Sequence, residues 1–232
     1  MALPILNEAP KYTLTVPSTG KKAKFRPYLV KEEKVLLIAA ESKNEIEVID
    51  AIQNTVAACL DGSIDVSRLT TFDLEYIFIQ LRAKSTGEVA QLIANCTHCS
   101  HGNEQSVDLT QINCSVPKDS RGLVSITDKI TVEMKYPSYA DFDVSSENIE
   151  MTGFDIVAKC IDTVMTEDER IEISEEPIEN VIAFLESMTQ EQFTKIAGFL
   201  SEIPALKYNL EFDCSSCGEH NNIELKGLQS FF

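Results

Sequence analysis

Basic residues are scarce in this sequence. Lys and Arg number 20 against 37 Asp and Glu, which gives a formal net charge of −17 over 232 residues. A chain this acidic repels the phosphate backbone of a nucleic acid unless it carries a basic face. Nucleic acid is therefore not an expected partner.

Long apolar runs are also missing. No run approaches the ~18 residues that a membrane span requires, so we expect none. The first residues lack the apolar segment of a secretion signal, so we expect no export. Hydrophobic residues make up 44% of the chain and charged residues 25%, which is typical of a soluble globular protein. This composition excludes the disordered and fibrous classes.

Motifs of catalysis are absent as well. The chain has no glycine-rich phosphate loop, no Gly-x-Ser-x-Gly and no His-Glu-x-x-His. Asp73 and Glu75 lie two positions apart on a predicted helix, so their carboxylates point in different directions and favour a capping or solvated role. We therefore predict no catalytic residue, no cofactor-binding residue, no small-molecule substrate and no enzymatic activity.

The strongest chemical signal is a pair of Cys-x-x-Cys motifs. Seven cysteines in a chain without a secretion signal indicate a reducing compartment, where grouped cysteines bind metal more often than they form disulfides. Two intervening residues allow a tight turn to direct both sulfurs toward one ion, and four thiolates complete a closed tetrahedral site. We predict one structural Zn²⁺ per chain, with the ligands Cys96, Cys99, Cys214 and Cys217.

Other readings of these motifs stay open. A thioredoxin-like dithiol requires a helix directly after the motif, whereas polar residues and a strand follow both pairs. Two disulfides or metal-free pairs are further alternatives. His98, His101 or His220 could replace a cysteine ligand, although each fits a solvated loop position. Because Gly218 follows Cys217 directly while the first motif has no glycine before Gly102, we expect the two turns to differ.

The remaining cysteines, Cys59, Cys114 and Cys160, have no partner at metal-binding spacing. Cys59 and Cys160 lie on or beside apolar helix faces. We expect these two to be small core residues.

The residue patterns predict strands and helices in both halves of the chain. In the first half we expect a buried helix over 32–41 that is apolar nearly all round, and a second helix with a stripe of Ile49, Ile52, Val56 and Leu60. In the second half, Phe154, Val157, Ile161 and Val164 predict one helix face. The other predicted elements are an early strand at 12–16, a helix from 70 or 71 through 81, a strand at 126–136, helices that start at Pro177 and at the capping box Thr189–Gln192, and strands on both sides of each cysteine pair at 88–94, 105–109, 207–212 and 222–225.

The two halves resemble each other. The hexapeptides that start at Val56 and Val157 match, and a predicted helix start lies 25 residues before Cys96 and again before Cys214. The fold class that we predict is α+β, with a degenerate internal duplication of a strand and helix unit. Each unit ends in a strand–CxxC–strand finger, and the two fingers form a split zinc ribbon. The predicted halves are 1–115 and 116–232, joined as one compact body by the shared zinc; the alternative is a chance similarity of two α+β segments.

Charge is distributed unevenly along the chain. Between Asp141 and Glu179 there are 13 acidic and 2 basic residues, whereas Lys21 to Lys34 contains six basic and two acidic ones. Both stretches are compatible with ordinary solvated surface. The functional reading is that oppositely charged patches direct docking to large partners.

Two blocks of the sequence resemble a known family. They are the segment Pro17–Leu37 (PSTGKKAKFRPYLVKEEKVLL) and the segment Phe72–Phe78 (FDLEYIF) with Leu81–Ser85 (LRAKS). Both are similar to the T-even-type bacteriophage baseplate protein family, which includes hub subunits and hub assembly proteins. The length of the chain fits as well, and the second half matches only by length and by its CxxC pair.

The resemblance implies a late, non-enzymatic phage protein that assembles or forms the central baseplate hub of a contractile tail. It implies other baseplate hub proteins as partners and the host bacterial cytoplasm as the place of assembly. A chaperone-like factor that leaves after assembly and a subunit that stays in the virion are both compatible with it. The competing class is a cytosolic zinc-binding regulator or enzyme unrelated to phage tails, which would need an open metal position.

Overall fold

The structure is a computed structural model that describes residues 9–62, 64–117, 122–141 and 153–231. Within these residues the chain is a mixed α+β protein with small antiparallel sheets. None of the helices in the described part is long and apolar enough to cross a bilayer. The helices are α1 (Val30–Ser42), α2 (Glu45–Cys59), α3 (Thr71–Thr86), α4 (Gly153–Cys160), α5 (Ile178–Glu186) and α6 (Gln190–Ser201). The strands are β1 (Tyr12–Thr15), β2 (Lys22–Phe25), β3 (Val89–Asn95), β4 (Gly102–Asp108), β5 (Asn113–Cys114), β6 (Gly122–Ser125), β7 (Thr131–Met134), β8 (Ile161–Met165), β9 (Arg170–Glu172), β10 (Leu206–Asp213) and β11 (His220–Lys226).

The chain divides into two compact units. The finger unit contains the residues up to Ser115 and those from Ala205 onward, and the insert unit is Val116–Pro204. The predicted halves 1–115 and 116–232 are defined by the sequence repeat, whereas these two units are defined by the contacts between residues. The two divisions differ over residues 205–232, because β10 pairs with β5 of the first half as well as with β11.

Helix caps of the finger unit follow from its polar residues. The side chain of Asn44 accepts a hydrogen bond from the backbone N–H of Ile46 and starts α2, and Thr70 starts α3 in the same way through Asp73. The predicted stripe of α2 is confirmed at Ile52 and Val56, which are buried, whereas Leu60 follows the end of the helix. Both helices therefore begin and face the core as their sequences indicate.

Helix α1 differs from its prediction. A helix that is apolar nearly all round is typical of a buried position, but only Glu32 and Ala39 of α1 are buried. Val30 is 80% exposed and Leu37 60% exposed. Within the finger unit α1 packs against α2, which covers one of its sides. The apolar residues on its other sides face solvent.

The insert unit holds a four-stranded antiparallel sheet in the order β6-β7-β8-β9 with α4, α5 and α6 packed around one core. The capping box at Thr189 is confirmed, and Pro177 stands at the N-cap position of α5. The predicted helix face through Ile161 and Val164 is wrong, because α4 ends at Cys160 and β8 follows directly. β-Branched residues in Ile161–Met165 favour the extended backbone, which pairs with β7.

Two hairpins of the finger unit carry the cysteine motifs at their tips. β3 pairs with β4 from Val89↔Asp108 to Asn95↔Gly102, and β10 pairs with β11 from Lys207↔Lys226 to Asp213↔His220. Side chains of both hairpins meet those of α3 in one core; its fully or nearly fully buried members include Ile79, Val107, Leu109, Ile112, Leu206, Leu210 and Phe231. This core fixes both tips with respect to each other.

Candidate metal centre

The four cysteines of the CxxC motifs converge at the tips of the two hairpins. The Sγ atoms of Cys96 and Cys217 lie 3.7 Å apart, and those of Cys99 and Cys214 lie 3.6 Å apart. All four sulfurs lie within 4.8 Å of one another. A tetrahedral ion with metal–sulfur bonds of about 2.3 Å separates its ligands by about 3.8 Å. The cluster therefore has the dimensions of a tetrahedral thiolate site and could hold a metal ion.

The first motif forms a closed turn. The backbone N–H of Cys96 donates to the carbonyl of His101, and that of Ser100 donates to the carbonyl of Cys96, both at 2.9 Å. The N–H of His98 points at the Cys96 sulfur at 3.4 Å. Backbone donors thus face the sulfur, as expected for a turn that stabilises a thiolate.

The second motif repeats these bonds 118 positions later. The N–H of Cys214 donates to Glu219 and that of Gly218 donates to Cys214, again at 2.9 Å, and the N–H of Ser216 approaches the Cys214 sulfur at 3.4 Å. The two turns are therefore built alike.

Their likeness extends to a left-handed residue after the second cysteine. Gly218 has φ 75°, and Ser100 at the equivalent position has φ 59°. The expectation that the first turn would be made differently is wrong. A serine adopts the conformation that glycine provides without cost in the second turn, and the closing hydrogen bonds hold it there.

Two buried asparagines join the turns, and neither was predicted from the sequence. Asn103 is 4% exposed, and its Oδ1 accepts hydrogen bonds of 2.9 Å from the backbone N–H and the hydroxyl of Ser215. Its Nδ2 lies 2.9 Å from the carbonyl oxygen of His101 and 3.7 Å from the Cys214 sulfur.

Asn221 makes the same contacts in the opposite direction. It is 1% exposed, and its Oδ1 accepts from the backbone N–H and the hydroxyl of Thr97, both at 2.9 Å. Its Nδ2 lies 2.9 Å from the carbonyl oxygen of Glu219 and 3.5 Å from the Cys96 sulfur. A readable signal existed, because each asparagine follows the second cysteine of its motif by four positions.

Hydrogen bonds favour the thiolate at the two buried cysteines. Cys96 and Cys214 are each 3% exposed, whereas Cys99 and Cys217 are exposed. The backbone N–H of Cys217, with that of Ser216, lowers the pKa of Cys214 to about 6 against the effect of desolvation. The backbone N–H of Cys99 is the main cause that lowers the pKa of Cys96.

Desolvation and the neighbouring sulfurs favour the protonated thiol at Cys217. The backbone N–H of Glu219 lowers the pKa of Cys217, but desolvation and the neighbouring sulfurs of Cys99, Cys214 and Cys96 outweigh it and raise this pKa to about 12. Four thiolates at these distances repel one another. A cation at the centre removes that repulsion, so metal binding and loss of the thiol protons are coupled.

The three histidines stay outside this cluster. His98, His101 and His220 are exposed, and within the described residues the group of metal-ligating side chains consists of the four cysteines alone. Nδ1 of His220 lies 2.8 Å from Oδ1 of Asp213.

The other cysteines lie apart from the cluster. Cys59 and Cys160 are buried, as expected for small core residues, and burial raises the pKa of each thiol to about 11. Cys114 is half-buried at the pairing of β5 with β10, and burial raises its pKa to about 12. Such thiols are poor nucleophiles at neutral pH.

The carboxylate of Asp73 has a structural environment. It is 1% exposed and accepts hydrogen bonds from Ser18 and Thr70 near the start of α3. The sequence predicted a capping or solvated role, but Thr70 is the N-cap of α3 and the Asp73 carboxylate is buried, where it accepts bonds from the turn after β1 and from Thr70.

Comparisons with known proteins bear on the whole chain. The model of a family described as T4 bacteriophage base plate protein matches residues 9–232. Comparison with curated proteins gave no match, and comparison with solved structures gave none either. The match includes both hairpins and the insert unit. The chain therefore belongs to the family of T4 bacteriophage base plate proteins.

Proposed function

We propose that this protein is a non-enzymatic component or assembly factor of the central baseplate hub of a contractile phage tail. The family match over residues 9–232 carries the proposal. The cysteine cluster fits a closed site with four protein ligands, which offers no open position for a substrate. In this reading the protein is made in the host bacterial cytoplasm and acts by binding other hub proteins.

The metal that we propose is one structural Zn²⁺, with Cys96, Cys99, Cys214 and Cys217 as ligands. Its support is the all-sulfur donor set and the 3.6–3.7 Å separation of the sulfurs. When bound, zinc supplies folding energy rather than chemistry. It joins a hairpin from each half of the sequence into a split zinc ribbon.

We also propose that the halves arose by duplication. The hairpin tips share their backbone hydrogen bonds at a constant offset of 118 positions, and the bond from Leu109 N–H to the Glu88 carbonyl recurs, at that offset, from Gly227 to Leu206. A second correspondence involves the matched hexapeptides, where Arg26 N–H donates to the Cys59 carbonyl.

In the insert unit, Lys135 N–H donates to the Cys160 carbonyl in the same manner. The residue after each of these cysteines also pairs with a hairpin strand, Leu60 with Phe25 and Ile161 with Met134. Equivalent bonds at equivalent positions support a common origin of the two segments.

The docking surface that we propose is the exposed part of α1 and the groove beside it. Val30, Val35, Leu37 and Ile38 are exposed on α1. A groove of about 440 Å³ lies between α1, α2 and α3 and is lined by Leu36, Ala40, Val48, Ile52 and Phe78 among others. Exposed apolar side chains beside an apolar groove are typical of interaction sites.

Charge indicates the chemistry of the partner. The stretch from Lys21 to Lys34 carries six basic and two acidic residues in a chain of net charge −17. Lys21, Lys22, Lys24 and Lys31 are exposed. We therefore propose that another hub protein contacts the α1 surface through an apolar segment and contacts the basic stretch through acidic residues.

Two experiments test the function. A phage that lacks the protein should lose tails at the hub stage while heads still form, and normal yields of complete tails would overturn the proposal. Quantitative composition of purified particles then separates a resident subunit from an assembly factor that leaves.

Charge reversal tests the role of the basic stretch. Replacing Lys21, Lys22 and Lys24 together by Glu should weaken association with purified hub proteins more at low than at high ionic strength, because salt screens exposed charges. Replacing Lys129, Lys195 and Lys207 by Glu changes the net charge equally and should leave association unchanged. Equal losses in both variants would count against the basic stretch as the docking site.

A further inference from the structure

Asn103 and Asn221 are the buried polar side chains that lie between the two cysteine turns. Each belongs to one hairpin and bonds the turn of the other. We propose that the two asparagines are positioning residues of the metal centre, which hold the turns so that the four sulfurs converge and which donate hydrogen bonds to the two buried sulfurs. This inference rests on the proposed metal site.

The amide oxygens fix the orientation of the turns. Oδ1 of Asn103 accepts the backbone N–H and hydroxyl of Ser215, the residue after Cys214. Oδ1 of Asn221 accepts the same two groups of Thr97, the residue after Cys96. Each turn is thus held by two bonds at the first residue inside its CxxC motif, where a rotation would displace both sulfurs.

The amide nitrogens act on the sulfurs themselves. Nδ2 of Asn103 lies 3.7 Å from the Cys214 sulfur, and Nδ2 of Asn221 lies 3.5 Å from the Cys96 sulfur. A hydrogen bond from a neutral donor spreads the negative charge of a thiolate without adding a titrating group. Outer groups that bond metal ligands in this way typically contribute tenfold to hundredfold to metal affinity.

The chemistry of the site explains the residue type. The position needs an acceptor toward Ser215 or Thr97 and donors toward a sulfur and a carbonyl, and a primary amide supplies both. Asn103 and Asn221 use all of these bonds while almost fully buried, so neither leaves a polar group unsatisfied. An aspartate would keep the shape and the acceptor but place a negative charge beside a thiolate.

The test is therefore Asn103→Asp and Asn221→Asp in the full-length protein. The control is Asn222→Asp on β11, an exposed asparagine whose Nδ2 bonds Glu211. Zinc affinity is measured by competition with a chromophoric chelator, and the site geometry is measured by the absorption of the Co²⁺-loaded protein. We expect each Asp variant to bind zinc at least tenfold more weakly and to shift the cobalt–thiolate bands, while the control stays within threefold of wild type.

Milder variants cover the case in which a buried aspartate prevents folding. The exposed residues Ser215 and Thr97 each donate a hydroxyl hydrogen bond to one of the asparagines. This bond is removed by Ser215→Ala and Thr97→Val, and it is retained by Ser215→Thr and Thr97→Ser. We expect a loss of affinity of about twofold to fivefold for the first pair and wild-type affinity for the second.

The outcomes separate the two proposals. A wild-type protein that binds no zinc would overturn the metal centre itself. A wild-type protein that binds zinc, with Asp variants within threefold of its affinity, would overturn only the role of the asparagines. An effect at one asparagine and none at the other would contradict the reciprocal arrangement.

Discussion

The backbone N–H and the hydroxyl of Ser18 both donate to the buried carboxylate of Asp73, across 55 positions of sequence. Thr70 adds a third bond at 2.7 Å, so the carboxylate links the turn after β1 to the start of α3. Asp73→Asn keeps the shape but replaces one acceptor oxygen by a donor that faces hydroxyl groups. Because the group is 1% exposed, we expect a loss of about 1–3 kcal/mol in the free energy of unfolding, measured by urea denaturation.

Asp65→Asn is the matched control for this change. Asp65 also accepts a backbone N–H and a hydroxyl, both from Ser67, but its side chain is 60% exposed. Water can replace these bonds, so the cost should stay below about 1 kcal/mol. Equal costs at the two positions would show that burial of Asp73 contributes nothing.

Loss of a zinc ligand should destabilise the finger unit. Purified protein should contain about one zinc per chain by elemental analysis, because one complete set of four thiolates exists among the described residues. Cys96→Ser and Cys217→Ser should each lower the melting temperature by about 5 °C or more, since the binding energy of a structural zinc becomes folding energy. Cys114→Ala is the control and should keep the metal. Two native disulfides in the mass spectrum would rule the metal site out.

The buried thiols should make stability fall in alkaline solution. Burial raises the pKa of Cys59 and of Cys160 from the ordinary value of 9.0 to about 11, so the unfolded chain loses these protons first. Their contribution is complete below pH 9 and is lost as the pH rises to about 11. The expected loss is about 1–3 kcal/mol per thiol.

Urea midpoints measured at several pH values check this dependence. Cys59→Ala should flatten the alkaline decrease of the finger unit, and Cys160→Ala should flatten that of the insert unit. If the alkaline loss of stability kept its size in both variants, other groups would cause it, such as Tyr28 and Tyr76, whose pKa is also raised by burial.

Two glycines of the insert unit should respond in opposite directions to alanine. A Cβ at Gly122 would lie 2.7 Å from the Met134 Cβ and 2.8 Å from the Phe199 ring, so Gly122→Ala should cost about 1–3 kcal/mol. A Cβ at Gly198, inside α6, meets nothing within 4 Å, so Gly198→Ala should gain about 1 kcal/mol in helix propensity. Thermal denaturation of both variants measures the difference, and a stabilising Gly122→Ala would contradict the packing around β6.

Local signals in the sequence predicted the start of α6 in the insert unit and the two hairpins that carry the metal site. Thr189 forms its capping box, and the alternating segments beside each CxxC pair form the hairpins. These features depend on neighbours within a few residues, so they can be read without the fold.

Features that depend on distant packing could not be read in this way. The apolar character of α1 indicated burial. In the fold, however, α1 packs against α2 on one side, and several apolar side chains on its other sides stay exposed. β8 looked helical because Ile161 and Val164 extend the spacing of Phe154 and Val157, and pairing with β7 outweighed that periodicity. The asparagines were readable from their spacing, but their role depends on contacts between residues more than 100 positions apart.

The finger unit consists of two stretches of sequence that meet where Leu206 pairs with Cys114, and this division implies an order of events during synthesis. The chain leaves the finger unit after the first hairpin and returns to it beside that point, with the insert unit between. A ribosome adds about 5–20 residues per second, so Cys96 and Cys99 precede their counterparts by roughly 6–24 s. The first two thiols must wait for that time as an incomplete pair, and the insert unit emerges before the metal centre can close.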